Sequence, residues 1–303
     1  MKSAAIESGT GLEGSEVSRH GGVADFAELV KARLTLLVLL TTAVGYYLGA
    51  PNSFSPLALF HAIFGTALAA AGAAALNQWW ERKVDALMHR TKTRPLPAGR
   101  MSARDALIVG GSLSLVGAGY LAITTNLLSA ALAAATIIIY IFGYTPLKRI
   151  STTNTLVGAV PGALPPLIGW AAARGDIGWP AWSLFAILFC WQMPHFYAIG
   201  WIYREDYARA GFQMLASRDA DGARSGRQSV LFAVLLIVSS IFPALLRVTG
   251  PVAFGGELFL GLLFLAMAIR FWRRRTAREA RTLFIASIIY LPLALAVLVI
   301  TKL

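Results

Sequence analysis

Cysteine is nearly absent from this chain, with one residue, Cys190, in 303. A lone thiol inside an apolar stretch builds no disulfide framework and no Cys cluster for zinc or iron. Charge is scarce as well: 14% of residues are charged and 57% hydrophobic. An ordinary soluble domain carries roughly 25% charged residues. Acidic residues are the scarcest, 15 against 27 Lys and Arg, which leaves a net charge of +12. Those cations are scattered between apolar runs with no soluble domain to gather them, so the charge is not that of a nucleic-acid binder. The first 27 residues lack an apolar core, which argues against a cleaved secretory signal. They are expected to form a disordered cytoplasmic tail, followed by a single transmembrane domain over 28–303.

Apolar sequence fills the rest, at a mean hydropathy of +0.64. Windows of about 20 apolar residues predict nine spans, near 30–50, 57–79, 104–122, 127–144, 154–172, 181–200, 229–247, 253–271 and 282–301. The expected fold class is all-α: a polytopic membrane protein, nine transmembrane helices bundled around a central cavity that opens to the cytoplasmic side. Only Thr124 to Asn126 separate the third and fourth spans, which predicts a tight helical hairpin. All but three of the 27 Lys and Arg, namely Arg174, Arg247 and Lys302, fall in the N-terminal segment or in the loops after even-numbered spans. The positive-inside rule then puts the N-terminus in the cytoplasm and the C-terminus in the periplasm of a bacterial inner membrane. A mitochondrial inner membrane is the alternative.

The stretch 77–97 is polar where its surroundings are not. Asn77, Glu81 and Asp85 recur at i, i+4 and i+8, so a helix places them on one face, drifting about 80° over roughly 12 Å. Arg90, Lys92 and Arg94 follow, and Pro95 and Pro97 end any helix. Hard oxygen ligands beside cations suit a magnesium-bound diphosphate: Asn77, Glu81 and Asp85 for Mg2+, guanidinium and ammonium groups for phosphate oxygens. Ahead of this stretch, residues 65–76 are almost all Ala and Gly, which lets helices approach closely in lipid. The third and fourth spans carry nothing reactive. The fifth holds Pro161, Pro165 and Pro166, and such breaks are tolerated where freed carbonyls face a protein-lined cavity. Tyr144 and Lys148 sit on the same membrane side as 77–97, and Lys148 fits two readings, a topology charge or a phosphate ligand.

A second polar constellation ends the sixth span. Gln192 and His195 interrupt an apolar helix beside Pro194, which is expected to kink it, and Tyr203 and Asp206 follow at the interface. Eleven residues separate His195 from Asp206, close to three turns, so the two are expected to share a face. The basic run 270–281 reads as a solvated loop. Two acidic clusters on one membrane side, with cations between them, suit an isoprenoid diphosphate: Mg2+ held by Asn77, Glu81, Asp85 and Asp206 neutralises the leaving group while an allylic carbon develops positive charge.

Four ordered segments, N-Q-W-W-E-R-K-V-D-A-L-M-H-R-T-K-T-R-P-L, Y-T-P-L-K-R-I-S-T-T-N-T, G-A-L-P-P-L-I-G-W and W-Q-M-P-H-F with R-E-D-Y-A-R-A-G-F, resemble the heme O synthase (protoheme IX farnesyltransferase) family of intramembrane prenyltransferases. The resemblance runs from about residue 28 to 300. It implies transfer of a farnesyl group from farnesyl diphosphate to a vinyl group of heme B. It makes Asn77, Glu81 and Asp85 the first metal-diphosphate motif, Arg90, Thr91 and Arg94 the grip after it, and Asp206, with His195 and Tyr203, the second motif. Glu81 stands where the wider superfamily has Asp, and the second motif keeps one clear Asp, so the ligands of any second metal ion stay open. Under the same resemblance His195 orients the heme or ligates its iron, and heme A synthase or a terminal oxidase assembly factor is the implied protein partner. Two rivals remain from the sequence: a prenyltransferase with a quinone or chlorophyll-type acceptor, and a non-catalytic transporter or heme-handling protein. No inverted repeat supports the transporter.

Overall fold

A backbone crossing lipid must satisfy its own hydrogen bonds, and helices are the local solution. The computed structural model describes residues 22–51 and 54–303, and among these all regular structure is helical. In chain order come α1 (Gly22–Leu29), α2 (Ala32–Gly49), α3 (Pro56–Asp85), α4 (Ala103–Thr124) and α5 (Leu127–Ile138), which passes through a π-helical turn (Ile139–Tyr144) into α6 (Thr145–Leu147). Then follow α7 (Asn154–Ala163), α8 (Pro165–Arg174), α9 (Trp179–Ile202), α10 (Arg204–Arg209), α11 (Leu215–Arg218), α12 (Ala223–Leu245), α13 (Pro251–Arg274) and α14 (Ala277–Ile300). Nine stretches among the described residues are long and apolar enough to cross a membrane, matching the expected spans to within a few residues. The chain is a multi-pass membrane protein.

The departures lie at the ends of elements. Part of the stretch expected as a tail, 1–27, is structured: Gly22–Leu29 is helical, and Asp25, buried, pairs with Arg100 at 2.8 Å. The rest of that expectation, residues 1–21, lies outside the described residues. At 30 residues, α3 runs past its predicted end, so Asn77, Glu81 and Asp85 ride on continuous helix. The expected shared face of His195 and Asp206 is lost. α9 continues through Pro194 but stops at Ile202, and Tyr203 (φ −108°, ψ 22°) breaks the register before α10 carries Asp206.

Packing follows residue size. α4 and α5 form the predicted hairpin, and the Asn126 side chain accepts the Ser129 N–H at 2.8 Å as the cap of α5. α3 lies on α4 where both are small: a Cβ on Gly72 would stand 2.4 Å from Ser114 Oγ and 2.5 Å from the Ser114 nitrogen. The second neighbour is backbone and cannot swing aside. Gly72→Val is therefore expected to cost about 1–3 kcal/mol or more, read as a lower melting temperature in detergent. The fifth span breaks at Leu164 as its prolines predict, since Pro165 and Pro166 have no N–H to donate back to α7. Between α2, α3, the π turn, α7, α9 and α14 this leaves a largely apolar cavity of about 590 Å3. Gly162 narrows its wall, since a Cβ there would collide with the Gln192 amide oxygen at 2.0 Å.

Candidate active site

The face carrying Asn77, Glu81 and Asp85 is buried as well as aligned, with exposures of 0%, 5% and 1%. Burying such groups requires partners, and each has one. Asn77 Oδ1 accepts from Lys31 Nζ at 2.7 Å, and its Nδ2 donates to Thr145 Oγ1 at 3.1 Å. Both Glu81 oxygens accept from Lys148 Nζ, at 2.8 and 3.0 Å. Asp85 Oδ2 accepts from Arg94 at 2.7 Å, and its carbonyl accepts the Thr91 hydroxyl at 2.8 Å. Lys148 thus acts on the carboxylate face, and Thr91 ties the loop to the end of α3.

One of these cations, Lys31, is built in by the backbone. Gln78 donates to the carbonyls of Glu28 and Leu29 and so fixes the chain reversal before α2. Lys31 sits in that reversal at φ 49°, a left-handed conformation that non-glycine residues adopt only under constraint. Its ammonium also lies 3.4 Å from Tyr140 Oη. Burial first, and then the Arg94 and Lys148 charges, bring the Lys31 ammonium down to about 7. Burial alone would also lower Lys148, but the Glu81 carboxylate outweighs it and holds the lysine above its ordinary range. Lys148 further lies 4.5 Å from the Tyr144 ring centroid, and Tyr144 stacks on Tyr140 at 5.6 Å. The π turn is what puts both phenols beside the site.

Asp206 faces the loop after α3. It accepts the backbone N–H groups of His89 and Arg90 at 3.4 and 3.3 Å and pairs with Arg209 at 2.7 Å. Burial is the largest single influence and pushes its carboxyl up, but those N–H groups and Arg209 together outweigh it and hold the carboxyl below the usual range. The Arg90 guanidinium covers the rings of Tyr203 and Tyr207 at 5.2 and 5.6 Å. Met88, Ala210, Phe212 and Met214 pack beneath in one apolar cluster. The end of α3 and the segment after α9 therefore meet, and the two predicted constellations share one membrane side. Lys92 alone of the predicted cations stays out, exposed on the loop.

Below this polar mouth Lys31, Tyr140 and Tyr144 line one end of the cavity, while Gln192 and His195 line another part of its wall. Gln192 Nε2 donates to the carbonyls of Ala159 and Leu188 at 3.3 and 3.0 Å. His195 stacks on Trp191 at 5.4 Å, and its Nδ1 lies 2.8 Å from Ser287 Oγ. Lys31, Tyr140, Thr145 and Ser287 are absent from the sequence reading of the site. Lys31 looked like a topology charge, and no local pattern marks a single Ser in an apolar helix.

Among the described residues no three His, Cys, Asp or Glu side chains already converge as a metal site. Glu81, Asp85 and Asp206 each hold a basic group instead. The donor set nonetheless fits a hard divalent cation, with an amide oxygen and buried carboxylates at one-turn spacing and cations next to them that suit phosphate oxygens.

Comparison with known proteins gives the same picture. The model of the UbiA prenyltransferase family matches residues 38–291. A curated protoheme IX farnesyltransferase of Solibacter usitatus is 49% identical over 278 residues, 89% of this chain and 95% of that protein. One from Koribacter versatilis is 43% identical over 288 residues, covering 92% and 93%. Among solved structures, digeranylgeranylglyceryl phosphate synthase superposes with a TM-score of 0.77 at 15% identity, over 92% of this chain and 98% of that one. A UbiA homolog from Archaeoglobus fulgidus bound to GPP and Mg2+ superposes with a TM-score of 0.69 at 15% identity, over 90% and 99%. Sequence match and shared fold, on top of a buried Asn77, Glu81 and Asp85 face at the mouth of a membrane cavity, make this chain a member of the UbiA prenyltransferase family.

Proposed function

We propose that the chain transfers the farnesyl group of farnesyl diphosphate to a vinyl group of heme B, giving heme O and diphosphate. The observation that carries this is the shared cavity: Lys31 and the Tyr140 and Tyr144 phenols from the diphosphate end and His195 from the other constellation line one apolar space. The curated relatives, named for this reaction at 49% and 43% identity, support the choice of acceptor. No observation favours a quinone or chlorophyll-type acceptor.

In the reaction the bond between farnesyl C1 and the diphosphate oxygen breaks, and its electrons leave on the diphosphate. The terminal vinyl carbon bonds to C1. The positive charge left on the inner vinyl carbon takes the oxygen of a water molecule, and a proton is released. Asn77, Glu81, Asp85 and Asp206 would hold Mg2+, which when bound neutralises charge on the leaving diphosphate. Lys148, Arg94 and Lys31, which pair with Glu81, Asp85 and Asn77, would then give their charge to phosphate oxygens. Arg90 stands at the rim. The apolar cavity wall keeps bulk water from the developing cation, and the Tyr140 and Tyr144 rings offer it an electron-rich face. His195 approaches the acceptor, through the heme iron.

The described helices act as one prenyltransferase domain in a bacterial inner membrane, N-terminus cytoplasmic and C-terminus periplasmic, as the loop charges direct. Membranes containing the chain, incubated with farnesyl diphosphate, Mg2+ and hemin, are expected to yield a product with the mass of heme O. Prenylation of 4-hydroxybenzoate with none of hemin would overturn the acceptor assignment. His195→Ala is expected to lower heme O formation about 10–100-fold while the KM for farnesyl diphosphate stays unchanged, as steady-state kinetics will show.

A further inference from the structure

His195 Nδ1 and Ser287 Oγ lie 2.8 Å apart, and either could donate. The hydroxyl has a single proton, and Ser287 Oγ also stands 2.5 Å from the carbonyl oxygen of Phe284, one turn earlier on α14. A carbonyl cannot donate, so two oxygens this close require the hydroxyl proton between them. Ser287 then has only lone pairs for the imidazole, and His195 must donate from Nδ1. That fixes the neutral Nδ1–H tautomer and leaves Nε2 with its lone pair free.

The ring has little freedom to escape this arrangement. It is stacked on Trp191 at 5.4 Å and lies against Phe284 at 4.9 Å. Ser287 is fully buried, and its main-chain carbonyl accepts the Trp191 indole N–H at 2.8 Å. One residue of α14 is thus joined twice to α9, once through each aromatic side chain of a single helical turn. The free nitrogen belongs to a residue of the cavity wall.

We propose that Ser287 is a positioning residue for the acceptor: it sets the tautomer and rotation of His195 so that the Nε2 lone pair meets the iron of a porphyrin in the cavity. This rests on the reading of the acceptor as heme. A histidine that binds a metal through one nitrogen ordinarily donates its other N–H to an oxygen, which orients the ring and raises its basicity. Here the accepting oxygen has its own proton engaged by the Phe284 carbonyl, so toward His195 it can only accept.

The test is a titration of the purified protein with ferric hemin, without farnesyl diphosphate, followed by Soret absorbance and low-temperature EPR. Ser287→Ala removes one atom and is expected to weaken hemin binding about 10–100-fold, to disturb the EPR signature of iron–imidazole ligation, and to leave the KM for farnesyl diphosphate unchanged. Ser287→Thr keeps the hydroxyl and should bind hemin more tightly than the Ala variant. Where the added methyl lowers its melting temperature, the Ala comparison alone decides. If His195→Ala changes hemin ligation while Ser287→Ala binds like the unaltered protein, the positioning role is overturned and the reading of His195 stands. If His195→Ala leaves the ligation signature intact, the reading of His195 fails and the role of Ser287 fails with it.

Discussion

Asp85→Asn is expected to lower prenyl transfer by about three orders of magnitude with the fold intact. The substitution keeps size and one oxygen but removes the charge that a metal-bound diphosphate would need at the end of α3, and loss of a buried electrostatic partner of a leaving group has effects of this order. The fold should survive because the stranded partner, Arg94, is 20% exposed and sits on a loop, where it can turn toward water. The measurements are heme O formation by mass and melting temperature in detergent. An active Asp85→Asn protein would remove α3 from the chemistry.

Lys148→Met should behave in the opposite way and strike the fold first. Glu81 would be left buried, its side chain 6% exposed, with both oxygens deprived of their partner. Breaking a buried pair from one side costs about 3–5 kcal/mol, most of it the stranded charge. The double variant Glu81→Gln/Lys148→Met removes that charge too and is expected to recover most of the lost melting temperature while remaining inactive. Stability and chemistry are thereby separated on one pair of residues. If the single Lys148→Met variant melts like the parent, Glu81 is not held by that lysine.

How far the site could be read from sequence depends on how local each cause is. The alignment of Asn77, Glu81 and Asp85 follows from helix periodicity, and the structure keeps it. The same arithmetic applied to His195 and Asp206 fails, because it assumes an unbroken helix and Tyr203 ends α9 between them. Thr91, which the resemblance places in a phosphate grip, donates to the Asp85 carbonyl at the end of α3, a contact no sequence pattern announces. Lys148 admits two readings from the sequence, a topology charge or a phosphate ligand, and its 2.8 Å contact with Glu81 belongs to neither. Lys31 resembled any positive charge at a span boundary, and its left-handed backbone and contact with Asn77 could not be inferred from composition.

By itself the sequence determined the membrane spans to within a few residues, the break in the fifth span and the polar face of α3, since each depends on neighbours within a few turns. The tertiary structure alone decided which groups neutralise that face and which orient His195. Lys31 lies 46 residues from Asn77, Lys148 lies 67 from Glu81, and Ser287 lies 92 from His195. A buried polar group takes its partner from whatever helix packs beside it, and packing is a property of the whole bundle.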